Sequence, residues 1–266
     1  MRIATYFRAR EEWELLGLLV ICMLLPVHAE DTPPNKYLSS IQERERHSDI
    51  VCSATIVNTG KTSSVKQLAG DQRSEWIAEA RVDRVFKGFL VSQVIAFKYY
   101  GLGPRTGNYF GPPYANFRSG IRYILFLRGQ DSNLTVTIPF YQMEIEIAPQ
   151  QPPLDESKPA PALALARELV FAIESAPQTI GRTATHYFSW VEELIGKKSV
   201  PFVAPFLDSS DPLVRYQAAW WLSFRQVDAT VMNELKYAEK DESIEEWARS
   251  GARDRLRDMA EGKYVP

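Results

Sequence analysis

Apolar residues alternate through 74–88, at Trp76, Ala78, Ala80 and Val82, with Ile77, Glu79 and Arg81 between them. A period of two is the pattern of a strand with one buried face. Val85 and Phe86 carry the run into Lys87-Gly88, a turn signal. Strand-like segments lie on both sides. Residues 50–57 are β-branched at most positions and predict a strand. Residues 58–73 are polar, carry two glycines and read as a loop. A third strand is expected over 91–100. The nearly continuous apolar run at 121–127 suits a strand covered on both faces. Met143, Ile145 and Ile147 alternate with Glu144 and Glu146 in 133–147, where Pro139 divides the segment into two shorter strands. Upstream, 37–47 suits a short helix anchored by Tyr37, Leu38 and Ile41.

Five prolines in 149–161 forbid a continuous strand or helix there. Beyond them the period becomes helical. Leu163, Ala166, Leu169, Val170 and Ile173 form one face, and Tyr187, Val191, Leu194 and Ile195 another. Further helical segments are expected at 202–207, 212–224, 231–238 and 244–260, which together make three antiparallel pairs. An internal repeat is visible. Residues 211–218 (DPLVRYQA) align with 241–248 (DESIEEWA), each opening on an aspartate suited to cap a helix. The 212–224 segment is apolar nearly all round, with Val214, Ala218, Trp221 and Leu222 on one stripe, so it needs neighbours on several sides.

Composition adds where the protein goes. Arg2, Arg8 and Arg10 precede an apolar run at 15–26, and Val27-His28-Ala29 follows it. That is the anatomy of a secretory signal, with cleavage expected after Ala29. The run falls short of the ~20 residues that span a bilayer. Glu11, Glu12 and Glu14 leave open a retained anchor, so the protein is extracytoplasmic, periplasmic or secreted, and membrane-anchored if the signal stays. Of two cysteines, Cys22 falls within the signal and leaves Cys52 alone, without an internal disulfide partner. A net charge of −2 gives no electrostatic case for nucleic acid, and no polybasic run favours an anionic membrane surface.

The second half resembles HEAT repeats. Leu207-Asp208, Asp211-Pro212, Val214-Arg215, Ala218-Ala219 and Leu222 carry that likeness, which is strongest in 199–225 and weakens in 228–260, where Glu245 stands in the place of the arginine. The first half is similar to the netrin-like domain of tissue inhibitors of metalloproteinases, a five-stranded OB barrel with flanking helices. The residues concerned are Ser48-Asp49-Ile50-Val51, the run from Ala80 to Gly88, and the run from Ser119 to Leu127. These resemblances imply a multi-domain α+β chain: signal peptide 1–29, netrin-like OB β-barrel 30–148, proline-rich linker 149–161, and an all-α HEAT-like helical array 162–266. Family inhibitors chelate zinc through an amino-terminal cysteine, which this chain lacks after signal removal.

Chemistry-bearing patterns are scarce. His47 and His186 lie in different halves without metal-ligand spacing, and no nucleophile elbow or phosphate-binding glycine loop occurs. We therefore expect no catalytic residues, no metal and no cofactor. The segment 101–120 is the unusual one. It holds five glycines, three prolines and the aromatics Tyr109, Phe110, Tyr114 and Phe117. Long connections of this kind are often functional, and these four rings are the candidate partner-binding residues. Alternatively they fold back and plug the end of the barrel. The expected function is non-enzymatic binding of a protein partner through this loop and the helical surface. A protease inhibitor, or an envelope enzyme without a recognisable motif, is the alternative.

Overall fold

The structure is a computed structural model, and it describes residues 40–68, 71–102, 117–130, 133–137, 145–147 and 159–263. The chain is mixed α+β, with a six-stranded sheet in its first half and helices in its second. Helix α1 (Ile41–His47) starts at Ser40, whose hydroxyl accepts from Glu43 N. The strands are β1 (Ile50–Leu68), β2 (Asp71–Lys87), β3 (Val94–Leu102), β4 (Arg122–Arg128), β5 (Leu134–Val136) and β6 (Ile145–Ile147). β1 to β3 form an antiparallel meander. β3 then pairs in parallel with β5, β5 pairs with β4, and β4 returns to β1 through Ile50↔Leu127 to Thr55↔Arg122. The hydrogen-bonded neighbours thus form a circuit that comes back to its first strand. β6 lies on β4 beside β5, with Ile124 opposite Ile145.

One expectation is corrected here. Of residues 58–73, read as a loop, 58–68 continue β1 and 71–73 open β2, paired from Asn58↔Glu79 to Leu68↔Asp71. The extension is polar because β1 leaves β4 behind after Thr55 and keeps only its hairpin partner. Solvent then covers what a third strand would have covered, and Val57 and Val65 are exposed. No side chain of residues 58–65 is buried, so hydrophobic period has no face to report there.

β4 explains its own apolar run. Tyr123, Leu125 and Leu127 point into the core enclosed by the strands, beside Cys52, Ala54, Ile56, Ala78, Ala80, Ile95, Phe97 and Leu134. Ile124 and Phe126 point the other way, into a second core built with the helices. Six consecutive buried residues follow from alternation when both faces are covered.

The helices are α2 (Pro161–Ser175), α3 (Pro177–Ile180), α4 (Ala184–Ile195), α5 (Val200–Val203), α6 (Pro212–Leu222), α7 (Ala229–Lys240) and α8 (Glu246–Ala260), with 3₁₀ turns at Gly181–Thr183, Gly196–Ser199 and Ala204–Asp208. α2 packs on β2 and β6, α4 on α1, α2 and α6, and α7 on α6 and α8. α6 is buried at Val214, Tyr216, Gln217, Ala218, Ala219, Trp221 and Leu222, as its all-round apolar character predicts. Asp211 caps it, accepting from Leu213 N at 2.9 Å and Val214 N at 3.1 Å. The repeat's second aspartate behaves otherwise. Asp241 follows α7 and accepts from Ser243 N and Oγ, so it builds a turn, and α8 starts only at Glu246 without a side-chain cap.

The described sheet and helices belong to one compact unit, and one buried cluster joins Ile41, Val51, Phe86, Ile124, Phe126, Ile145 and Ile147 to Leu165, Leu169, Tyr187, Phe188 and the rest of the helical core. Residues 1–29, whose sequence reads as an export signal, and most of the proline-rich stretch lie outside the described residues.

Candidate functional site

Two places in the fold concentrate polar or aromatic side chains. The first is the end of the sheet from which the 103–116 segment departs. Phe117, on the far side of that segment, is buried at 6% exposure. Its ring meets Phe97 at 5.2 Å, Tyr99 at 5.0 Å and Tyr123 at 5.2 Å, each nearly perpendicular. Edge-to-face pairs of this geometry contribute about 0.5–1.5 kcal/mol each beyond their burial. Trp76 also stacks on Tyr99, with centroids 6.2 Å apart. Period two in β3 sends Phe97 and Tyr99 to the same face, which is why one inserted ring can touch both. Phe117 thus fixes the end of the segment in the strand core and does not present its ring to solvent. Tyr109, Phe110 and Tyr114 lie outside the described residues.

At the same end, Glu75 is buried and held from several sides. Thr62 Oγ1 donates to its Oε1 at 3.4 Å, Tyr100 Oη donates to its Oε2 at 3.4 Å, and Lys98 Nζ lies 3.6 Å away. These groups come from β1, β2 and β3, so they knit the three strands where the segment leaves.

The second place is the joint between sheet and helices. Arg122 opens β4 with its guanidinium fully enclosed. Nε donates to Asp83 Oδ2 at 2.8 Å, Nη2 donates to Ser53 Oγ at 3.0 Å, and Nη1 sits 2.6 Å from Glu168 Oε1 on α2. All three charged side chains are 3% exposed or less. Burial pushes the Glu168 carboxyl above the usual carboxylate range, and the neighbouring Arg122 opposes that shift without cancelling it. Among the described residues Glu168 Oε2 has no hydrogen-bond partner. Two carboxylates around one guanidinium make a strong crosslink between layers, and they fall in an interior shared by sheet and helix, where a substrate would have to displace core. We read this cluster as a positioning device for the fold. Tyr187 Oη reinforces it by donating to Glu146 O at 2.6 Å.

The sequence contained a signal for this joint that period analysis passes over. Arg122 interrupts an otherwise apolar strand, and Glu168 stands on the buried stripe of Leu165, Leu169 and Ala172. A charge on a core face needs a partner. Cys52 is fully buried, and burial together with nearby Asp83 pushes its thiol up to about 12. It is a small core residue with no thiolate at neutral pH. His47 and His186 are exposed on α1 and α4. No cluster of metal-ligating side chains occurs among the described residues, and among them no helix is long and apolar enough to cross a membrane.

No protein-family model matches this chain, and no curated protein matches it.

Proposed function

We propose that the chain is an exported, non-enzymatic binding protein. It takes a protein partner on the loop end of an OB-like, netrin-like barrel, with a HEAT-like helical array behind that barrel as a second surface. The observation that carries this reading is the aromatic anchorage of Phe117 among Phe97, Tyr99 and Tyr123. It pins the 103–116 segment at its downstream end, while β3 fixes its start. A long connection held at both ends on a rigid sheet is the arrangement in which loops serve recognition. OB barrels bind along one face and its adjoining loops, and the pairing circuit β1-β2-β3-β5-β4-β1, with its parallel β3–β5 step, supports that barrel reading. The capped α6, with Ala218 and Ala219 buried, supports the helical-repeat reading. The extracytoplasmic setting rests on the signal anatomy of residues 1–29.

The test replaces Tyr109, Phe110 and Tyr114 together with serine in the full chain. Partner capture from an extracytoplasmic extract is measured beside the melting temperature. Capture should fall while the melting temperature holds. A drop in melting temperature would make these rings a plug of the barrel, and no change in either quantity would make the segment a tolerated insertion. Both results overturn the proposal.

A further inference from the structure

The sequence has no basic run, yet the fold collects cations from three elements beside one apolar turn. β2 and β3 are joined through Gly88, whose φ of 81° turns the chain and whose α-carbon lies against the Asp49 carbonyl, where a Cβ would clash. Phe89 and Val91, on the turn that follows, are both 81% exposed. Leu90, between them, packs partly on the strand core. This inward anchor holds the tip, so Phe89 and Val91 stay out of the core. Such large apolar side chains protruding together are unusual on a soluble surface.

Two of the cations near this tip, Lys87 and Arg128, are held by backbone carbonyls. Lys87 Nζ donates to Glu45 O at 2.6 Å and to Arg46 O at 3.4 Å. Arg46 Nη2 lies 3.4 Å from His47 Nε2, and Arg128 Nε donates to His47 O at 2.9 Å. Arg46, His47 and Arg128 are exposed. Two carboxylates share the neighbourhood: Glu45 lies 3.5 Å from Lys87 Nζ, and Asp49 accepts from Gly129 N at 2.8 Å. Among the described residues neither Arg46 nor Arg128 has a carboxylate partner. The ends of α1, β2 and β4 thus bring Arg46, Lys87 and Arg128 together at the base of the hairpin whose tip carries Phe89 and Val91, with Glu45 and Asp49 among them.

We propose that this tip is a peripheral membrane contact, in which Phe89 and Val91 enter the headgroup–acyl boundary of an anionic bilayer while Arg46, Lys87 and Arg128 meet lipid phosphates. The exposure favours lipid over protein, because a phenyl ring and an isopropyl group standing free of the core on a turn can enter a fluid interface without a matching pocket. The charge favours anionic lipid, since cations held within a Debye length of the surface each add to binding. A chain whose amino-terminal segment reads as an export signal also meets a bilayer in the course of its life. This surface uses none of the residues assigned to partner capture.

The test uses the full chain carrying Cys22→Ser and Val91→Cys, labelled with an environment-sensitive dye. Cys52 is buried and stays unlabelled. A second protein carries the dye at Glu242→Cys, an exposed position on the connection between α7 and α8. With vesicles of phosphatidylcholine plus phosphatidylglycerol, the dye at 91 should brighten and shift to the blue, and the dye at 242 should not. Phosphatidylcholine alone should give a much weaker response. Phe89→Ser, or Arg46→Glu with Arg128→Glu, should weaken partition by about fivefold or more while the melting temperature holds. The proposal is overturned if the dye at 91 ignores the anionic vesicles, or if 91 and 242 respond alike, which would mean attachment through the amino-terminal segment. It is also overturned if the response is indifferent to phosphatidylglycerol and to the arginine changes, or if only a soluble protein shields the dye.

Discussion

Arg122 ties Asp83 on β2 to Glu168 on α2 through a guanidinium closed off from solvent. Removing the guanidinium leaves Asp83 and Glu168 facing each other in the interior, so Arg122→Ala should destabilise the protein by about 3–5 kcal/mol in urea unfolding. Glu168 also gives stability a dependence on pH whose sign is fixed by its burial. Its folded pKa lies above its unfolded value, so its contribution is fully present below the unfolded value and is lost as pH rises through the folded one. Glu168→Gln should remove that decline, and the stability of wild type measured relative to this variant should fall as pH climbs out of the acid range. A flat difference across that range would mean that the carboxyl titrates as it does in the unfolded chain. Both residues were readable as charges on apolar faces. What the sequence could not say was that they face one another, because nothing local relates Arg122, the first residue of a strand, to Glu168 in the middle of a much later helix.

Among the elements, α6 was legible and the β1–β2 extension was not, and burial accounts for the difference. α6 is enclosed on several sides, so its composition shows its neighbours. Trp221, 1% exposed and covered by the Arg225 guanidinium 3.7 Å above its ring, fills the centre. Trp221→Ala should cost about 3–5 kcal/mol, measured by chemical denaturation, and Asp211→Ala about 1 kcal/mol for its lost cap. A Trp221 effect within about half a kcal/mol would contradict its place in the core. Residues 58–65 of the extension have no buried side chain to set a period, and their polar character satisfied the pattern of a loop as well as that of a ribbon. Asp241 misled for a related reason. An aspartate that caps a helix and one that builds a turn with Ser243 look alike until the position of the first helical amide is known. Of the candidate site, Phe117 could be named from sequence, but its role in the strand core depends on Phe97, Tyr99 and Tyr123 arriving from two other strands. The basic rim of the hairpin tip was equally hidden, since its cations come from α1, β2 and β4.

At the scale of the whole molecule, β4 has one row of side chains in each core. The core inside the strands and the core shared with the helices therefore lose their common wall together if that strand comes away. We expect heat or denaturant to unfold the chain in a single transition, with tryptophan fluorescence and far-ultraviolet circular dichroism coincident. Two separated transitions would show that the proline-rich stretch divides independent domains after all. A shared wall also changes what the peptide connection between the halves is for. If Arg122–Glu168, Tyr187–Glu146 and the buried cluster around Ile124 and Phe126 hold sheet to helices, covalent continuity is not what keeps them together. A protease site engineered into 150–157 and cut after folding should then give two fragments that elute as one species and separate only in denaturant. Expressed as two chains, the halves should behave as a split protein, each unable to mature without the other.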